Sequence, residues 1–111
     1  MRLSFYRPNS QVQKKKRFIK EAKAASSLNH PNICTIYDIL EYEDSQTEKQ
    51  LFLVMEFVEG QTLKNIVESH YNASLSIKNV INVAIQIADG LAAAHEKRII
   101  HRDIKPDNIM L

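Results

Sequence analysis

The sequence predicts an α+β fold, and three observations carry that prediction. A segment of helix-forming residues from about Lys14 to Leu28 places Phe18, Ala22 and Ala25 at helical spacing, which gives it one thin apolar face. Two runs rich in Ile, Val, Phe and Tyr, Ile33 to Leu40 and Leu51 to Val58, flank the polar stretch Glu41 to Gln50 in the pattern of a β-hairpin. From Ile77 onward, Val80, Ile81, Ala84, Ala88, Leu91, Ala92 and His95 follow one face at i, i+3, i+4 spacing, the mark of a long amphipathic helix.

Each element has its own start and stop signals. The first helix opens with the cations Lys14, Lys15, Lys16 and Arg17, followed by Lys20 and Lys23. Such a run can meet an anionic partner or simply be a solvated helix face. The second reading is preferred, because no aromatic residues are interleaved and no second basic patch accompanies it. His30-Pro31-Asn32 then ends the helix, since proline lacks an N–H and disfavours helical geometry in the residue before it. Gly60 closes the second strand, and Thr62 can cap a short helix carrying Leu63, Ile66 and Val67. Ser76 is the candidate N-cap of the long helix, and Ala92, Ala93 and Ala94 imply close packing against another element. Ile99 and Ile100 form a short apolar step into the segment that follows.

With 111 residues, 44% of them hydrophobic and 25% charged, the chain is at most one ordinary globular domain. A net charge of +2 is too small to argue for nucleic acid. The lone cysteine, Cys34, excludes an internal disulfide and fits a reducing compartment. No apolar run approaches a membrane span, because Leu51 to Phe57 is interrupted by Glu56, and the N-terminus lacks the apolar core of a secretion signal. A cytoplasmic protein, or a cytoplasmic piece of a larger one, is expected.

The most informative stretch is His101-Arg102-Asp103-Ile104-Lys105-Pro106-Asp107-Asn108. Read alone it could be a charged surface turn, with His101 a satisfied core histidine. Its residue types and spacing resemble the catalytic loop of a serine/threonine protein kinase, H-R-D-L-x-x-x-N, with Ile for Leu. Phosphoryl transfer explains the combination. Charge is spread over the migrating phosphoryl, so the protein mainly positions groups and supplies positive charge. The resemblance implies that Asp103 orients the substrate hydroxyl, Lys105 reaches the transferring phosphate, and Asn108 offers a neutral oxygen to Mg²⁺, a cation that prefers oxygen ligands. His101 and Arg102 are then architectural, His101 beneath the loop and Arg102 facing an activation-loop phosphate.

The resemblance extends over nearly the whole chain and is strongest to bacterial enzymes. Glu21, within EAKAASSLNHPNI, matches the helix C glutamate that pairs with the strand 3 lysine. LVMEFVEG matches the hinge that holds adenine, which makes Met55 the gatekeeper and turns the backbones of Glu56 and Val58 to the purine; Met110 floors it. The implied architecture is a partial, truncated two-lobe kinase fold. Residues 1–58 form an N-lobe remnant, and residues 59–111 begin the helical C-lobe. The implied activity is ATP- and Mg²⁺-dependent phosphorylation of serine or threonine hydroxyls in a protein substrate, with no role for nucleic acid or, in this segment, a membrane.

The departures bear on activity. Aligning Met1 to Tyr6 with V-A-L-K-F-L puts Ser4 at the lysine position, although Arg2 or Lys14 to Lys16 could be the miscast counterpart. The chain's glycines are Gly60 and Gly90, so it contains no glycine-rich phosphate loop, and no D-F-G or A-P-E occurs in it. Arg98 stands where the family often has Gly, and Ala25 is small for its spine position. The isolated chain is therefore expected to be inactive. The alternatives are a pseudokinase, a binding module using the fold without chemistry, and a structural fragment.

Overall fold

The computed structural model describes residues 1–4, 15–43, 45, 46, 49–69 and 75–111. The expected helix start at Lys14, Phe5 and Tyr6 of the candidate strand 3, and Asp44, Thr47 and Glu48 of the hairpin loop lie outside those residues. The described residues form an α+β arrangement of three helices and two small antiparallel sheets. In chain order these are β1 (Arg2–Leu3), α1 (Lys15–Ser26), β2 (Ile36–Tyr42), β3 (Gln50–Met55), α2 (Leu63–Ser69), α3 (Ile77–Glu96), a 3₁₀ turn (Pro106–Asn108) and β4 (Ile109–Met110).

β2 and β3 pair antiparallel with Leu40 opposite Phe52 and Ile36 opposite Met55, as the two apolar runs require. An irregularity between Ile36 and Asp38 resets the register. The strand is shorter at its start than the apolar run, because Ile33 leaves the hairpin for a parallel bridge to Leu3. Alternation puts Ile36, Ile39, Leu53 and Met55 on the inner face, where α1 packs with Ala22 and Ala25. Leu40, Phe52 and Val54 stay on the exposed face.

Helix ends follow local chemistry. The Thr62 hydroxyl accepts a bond from the Asn65 N–H at 3.1 Å, and the Ser76 hydroxyl accepts from the Asn79 N–H at 3.2 Å. The C-terminus of α3 closes with two bonds, the Arg98 N–H to the His95 carbonyl and the Ile99 N–H to the Ala94 carbonyl. That is the Schellman pattern, and it requires a left-handed residue at Arg98, whose φ is 60°. The glycine common in the family at this point is thus a conformational requirement that arginine meets under strain.

The core lies where the turn after α1 meets α3. Leu28, Ile33 and Ala94 are buried together, with Ala93 and Ile99 packed against them. Gly90 allows the approach: a Cβ there would stand 3.2 Å from the Asn32 carbonyl. The Asn32 side-chain amide donates to the Gln86 Oε1 at 3.1 Å, and Lys97 Nζ reaches the Ser27 carbonyl at 2.6 Å. The stripe Ile77, Val80, Ile81, Ala84 and Ala88 is exposed, and the buried residues of α3 are Gly90 and Ala94.

β1 pairs antiparallel with β4, Arg2 opposite Met110 and Leu3 opposite Ile109. The strand-4 side continues into Gln61 and Leu111, which exchange both backbone bonds, at 2.9 and 3.2 Å. Gly60 is held against this pair with φ 131°, and a Cβ there would fall 2.1 Å from the Leu111 carbonyl oxygen. Gly60→Ala would therefore meet a forbidden backbone conformation and a backbone collision together, a cost of at least about 2 kcal/mol. The expected result is at least tenfold faster hydrogen exchange at the Gln61 and Leu111 amides, read residue by residue in the same chain.

Candidate active site

The loop from His101 to Asn108 is organised by side chains that the sequence put at fixed spacing. His101 is buried, at 3% exposure, and accepts the Asp103 N–H at Nδ1 (3.1 Å). Its Nε2 lies 2.6 Å from the Ser4 carbonyl, which can only accept, so the ring is the tautomer protonated at Nε2. Asn108 is also buried. Its amide Nδ2 donates to the Asp103 carbonyl at 2.9 Å and to Asp103 Oδ2 at 3.4 Å, and its N–H closes the 3₁₀ turn on Lys105. These bonds hold Asp103 and Asn108 side by side.

Lys105 Nζ stands 3.3 Å from Asp103 Oδ2, both side chains being partly exposed. A carboxylate and an ammonium so placed can address one hydroxyl and one phosphate oxygen respectively. The ion pair itself adds little stability at that exposure. On the far side, Lys64 Nζ meets Asp107 Oδ1 at 3.2 Å and ties α2 to the turn. That bond and charge raise the Lys64 pKa from its ordinary value.

Arg102 has a left-handed backbone, φ 68°, and its guanidinium Nη1 lies 3.4 Å from Glu21 Oε1. Arg17 Nε lies 3.2 Å from the same oxygen. Glu21 thus reaches the loop at Arg102, and two guanidinium groups hold its half-exposed carboxylate. The Ser4 N–H donates to the Asn108 carbonyl at 2.9 Å, which puts residue 4 against the catalytic loop. The physical reason is pairing: β4 offers a backbone edge that Arg2 and Leu3 fill.

The hinge-like residues form a second cluster. The Glu56 N–H donates to the Thr35 carbonyl at 2.8 Å, and the Cys34 thiol lies 3.4 Å from the Glu56 carbonyl. The Glu56 carboxylate accepts the Thr35 N–H at 3.1 Å and pairs with Arg2 Nη2 at 3.3 Å. Burial and then the Glu56 charge push the Cys34 thiol above its ordinary pKa, with Arg2 pulling the other way. Glu56 therefore has a side-chain role that the hinge reading missed, while Val58 lies outside any strand. Met55 ends β3 opposite Ile36, and Met110 is half-buried in β4, bridged to Thr62.

A cavity of 340 Å³ opens between α1 and the catalytic loop, bounded by Arg17, Lys20, Glu21, Arg98, His101 and Arg102 among others. The signal for Arg98 was available, since it departs from a glycine pattern. The proximity of Arg17 was not, because it depends on how α1 is seated. Among the described residues no helix is long and apolar enough to cross a membrane, and no group of three or more His, Cys, Asp or Glu side chains is placed to hold a metal ion.

The family model for the protein kinase domain matches residues 5–111. The chain is 46% identical over 96 residues to the serine/threonine-protein kinase PrkC of Bacillus subtilis, covering 86% of this chain and 14% of that protein. It is 42% identical to the serine/threonine-protein kinase pkn3 of Myxococcus xanthus and 40% identical to the serine/threonine-protein kinase PknB of Mycobacterium leprae, again over 86% of this chain. It spans 16% and 15% of those two proteins. With the catalytic-loop residues assembled as described and the match running over almost its entire length, the chain belongs to the protein kinase domain family, as a part of the domain found in bacterial serine/threonine kinases.

Proposed function

We propose that this chain is the segment of a bacterial serine/threonine kinase that supplies the hydroxyl-orienting aspartate, the phosphate-facing lysine and the helix C glutamate. The observation that carries this reading is the triad of Asp103, Lys105 and Asn108. Asp103 lies 3.3 Å from Lys105 Nζ and is held from behind by the Asn108 amide. In this reading Asp103 accepts the proton side of a serine or threonine hydroxyl of a protein substrate, and Lys105 attracts the phosphoryl oxygens. His101 fixes the loop through the Asp103 N–H, and Arg102 ties it to Glu21. Residues 1–58 then belong with the N-lobe and residues 59–111 with the C-lobe, with β1 as a strand that crosses between them onto β4.

ATP is the expected phosphoryl donor, with its adenine at the backbone of Glu56 and Val58 and over Met110. The Glu56 carbonyl keeps a second lone pair beside its contact with the Cys34 thiol, so it can still accept from a purine amino group. Mg²⁺ would find Asn108 Oδ1, a donor of the right kind, and bound there it would neutralise phosphate charge. One side-chain oxygen falls short of the oxygen-rich shell the ion prefers, so this segment fits only part of the site. A reducing cytoplasm suits the free thiol of Cys34.

A pseudokinase or binding module is the competing reading, and a chimera separates the two. Residues 15–111 would replace the corresponding stretch of PrkC, which brings its own flanking sequence, and transfer of label from ATP to a basic protein substrate would be measured. The expected result is an active chimera in which Asp103→Asn lowers the rate by about 10²–10⁴-fold, the usual range for a positioned proton acceptor. A folded, ATP-binding chimera whose rate is the same with Asp103 or Asn would make the segment a scaffold without chemistry.

A further inference from the structure

The kinase-domain match runs over residues 5–111, and β1 lies ahead of it. Yet Leu3, in that two-residue strand, is fully buried at 0% exposure. The bonds around it show how so short a strand is seated. The Leu3 N–H donates to the Asn32 carbonyl and the Leu3 carbonyl accepts the Cys34 N–H, both at 2.9 Å. The Asn32 side-chain amide donates to the Met1 carbonyl at 3.2 Å. Arg2 reaches another element, the residue after β3, through its 3.3 Å pair with the Glu56 carboxylate. Leu3 thus anchors the strand in the turn after α1, where a charged residue would lose its hydration.

Successive residues of an extended chain turn their backbone groups to opposite edges. Leu3 faces the turn after α1, so Ser4 presents its N–H and carbonyl to the catalytic loop. The Ser4 N–H donates to the Asn108 carbonyl at 2.9 Å, and the Ser4 carbonyl lies 2.6 Å from His101 Nε2. Those two partners are the residues that hold Asp103. His101 Nδ1 accepts the Asp103 N–H at 3.1 Å, and Asn108 Nδ2 donates to the Asp103 carbonyl at 2.9 Å. One residue therefore grips both supports of the aspartate, and it does so with backbone atoms. The consequence for His101 is specific. A neutral imidazole has two tautomers, and a carbonyl at Nε2 selects the one whose Nδ1 can accept from Asp103.

We propose that residues 2–4 are a positioning strap, in which the Ser4 backbone sets Asp103 through His101 and Asn108 while Leu3 anchors the strap. The functional meaning of the strap rests on the reading of Asp103 as the hydroxyl-orienting group. None of its three residues acts on the reacting atoms. At position 4 the demand falls on the backbone, so the role differs in kind from that of the lysine with which the sequence aligns Ser4.

The test is NMR of the 111-residue chain carrying ¹⁵N-labelled histidine rings, at about pH 8 where histidine is ordinarily neutral, together with amide hydrogen exchange. In the unaltered chain the two ring nitrogens of His101 should be well separated in chemical shift, with the proton held at Nε2. Leu3→Asp puts a carboxylate into the buried anchor and unseats the strap. The two ring shifts should then converge as the tautomers mix, and the Asp103 amide should exchange about tenfold faster, the worth of one lost hydrogen bond. Ser4→Pro removes the N–H that bonds Asn108, and it should speed exchange of the Asn108 amide by a similar factor. Ser4→Ala keeps both backbone groups and should change none of these signals. The Arg98 and Ile99 amides, which close α3, report whether the fold persists. Where Leu3→Asp opens α3 as well, Ser4→Pro alone decides, with faster Asn108 exchange supporting the strap and unchanged exchange refuting it. Unshifted His101 nitrogens in Leu3→Asp with α3 still closed would overturn the proposal. No part of this measurement needs phosphotransfer, so its failure is separate from a chimera whose rate is indifferent to Asp103→Asn.

Discussion

The 111-residue chain, incubated alone with radiolabelled ATP, excess Mg²⁺ and a basic protein substrate, is expected to transfer no measurable phosphate. Phosphoryl transfer depends on several groups acting together: a lysine paired with the helix C glutamate, and Mg²⁺ held by an aspartate as well as by the loop asparagine. Groups that act as a unit lose nearly all their effect when one is removed. Among the described residues Glu21 is held by Arg102 and Arg17 rather than by a lysine. Asn108 offers one neutral oxygen, and the sequence contains no D-F-G aspartate to join it. The structure adds a sharper expectation for position 4. Ser4→Lys alone should not rescue activity, because residue 4 is bonded through its backbone to Asn108 and His101 and the second magnesium ligand would still be lacking. The control is Asp103→Asn. Incorporation of label that disappears in that variant would show that the chain alone assembles a working site, and the prediction would fail.

The contrast between an inactive isolated chain and an active chimera separates what Asp103 and its neighbours contribute from what their surroundings must add. It also explains which parts of the molecule were legible in the sequence. The catalytic loop was legible because its chemistry demands particular residue types at particular spacing. The bonds from Asn108 to Asp103 and from the Asp103 N–H to His101 are local and follow from that spacing. The caps at Thr62 and Ser76 were legible for the same reason. The hairpin was found, with its ends displaced by a few residues, because period-2 burial identifies strands better than it fixes their limits.

Non-local contacts were not legible. Two-residue strands such as β1 and β4 carry no pattern, and their pairing depends on which edge happens to be open. The attachment of Arg102 to Glu21 spans 81 residues of sequence and could not be read from either neighbourhood. Periodicity in α3 identified an apolar stripe without saying what would cover it. The turn at Asn32 and Ile33 instead took the narrower side that Gly90 and Ala94 offer, because only small residues let two backbones approach so closely.

That uncovered stripe leads to the second large effect, which is self-association of the isolated chain. Leu3 and Ile33 are the largest side chains fully withdrawn from solvent, and three of the buried hydrophobic residues are alanines. Against this small core, Phe57 is 86% exposed and Ile77 79% exposed, and Val80, Ile81 and Ile85 continue the apolar face of α3. Contiguous exposed apolar surface of this kind drives association, and the sheet of β2 and β3, two-stranded among the described residues, adds backbone edges for further pairing. Sedimentation is expected to show concentration-dependent oligomers, the chain should bind anilinonaphthalene sulfonate strongly, and its thermal transition should be broad rather than cooperative. Replacing Ile77, Ile81 and Ile85 together by Lys keeps helix propensity and puts three charges on the stripe. It should shift the onset of association to roughly tenfold higher concentration while leaving helical content unchanged, since none of the three is buried. A monomer with a sharp melt and no dye binding would mean that the apolar face of α3 is covered in solution, and the triple variant would then lose structure instead of solubility being gained.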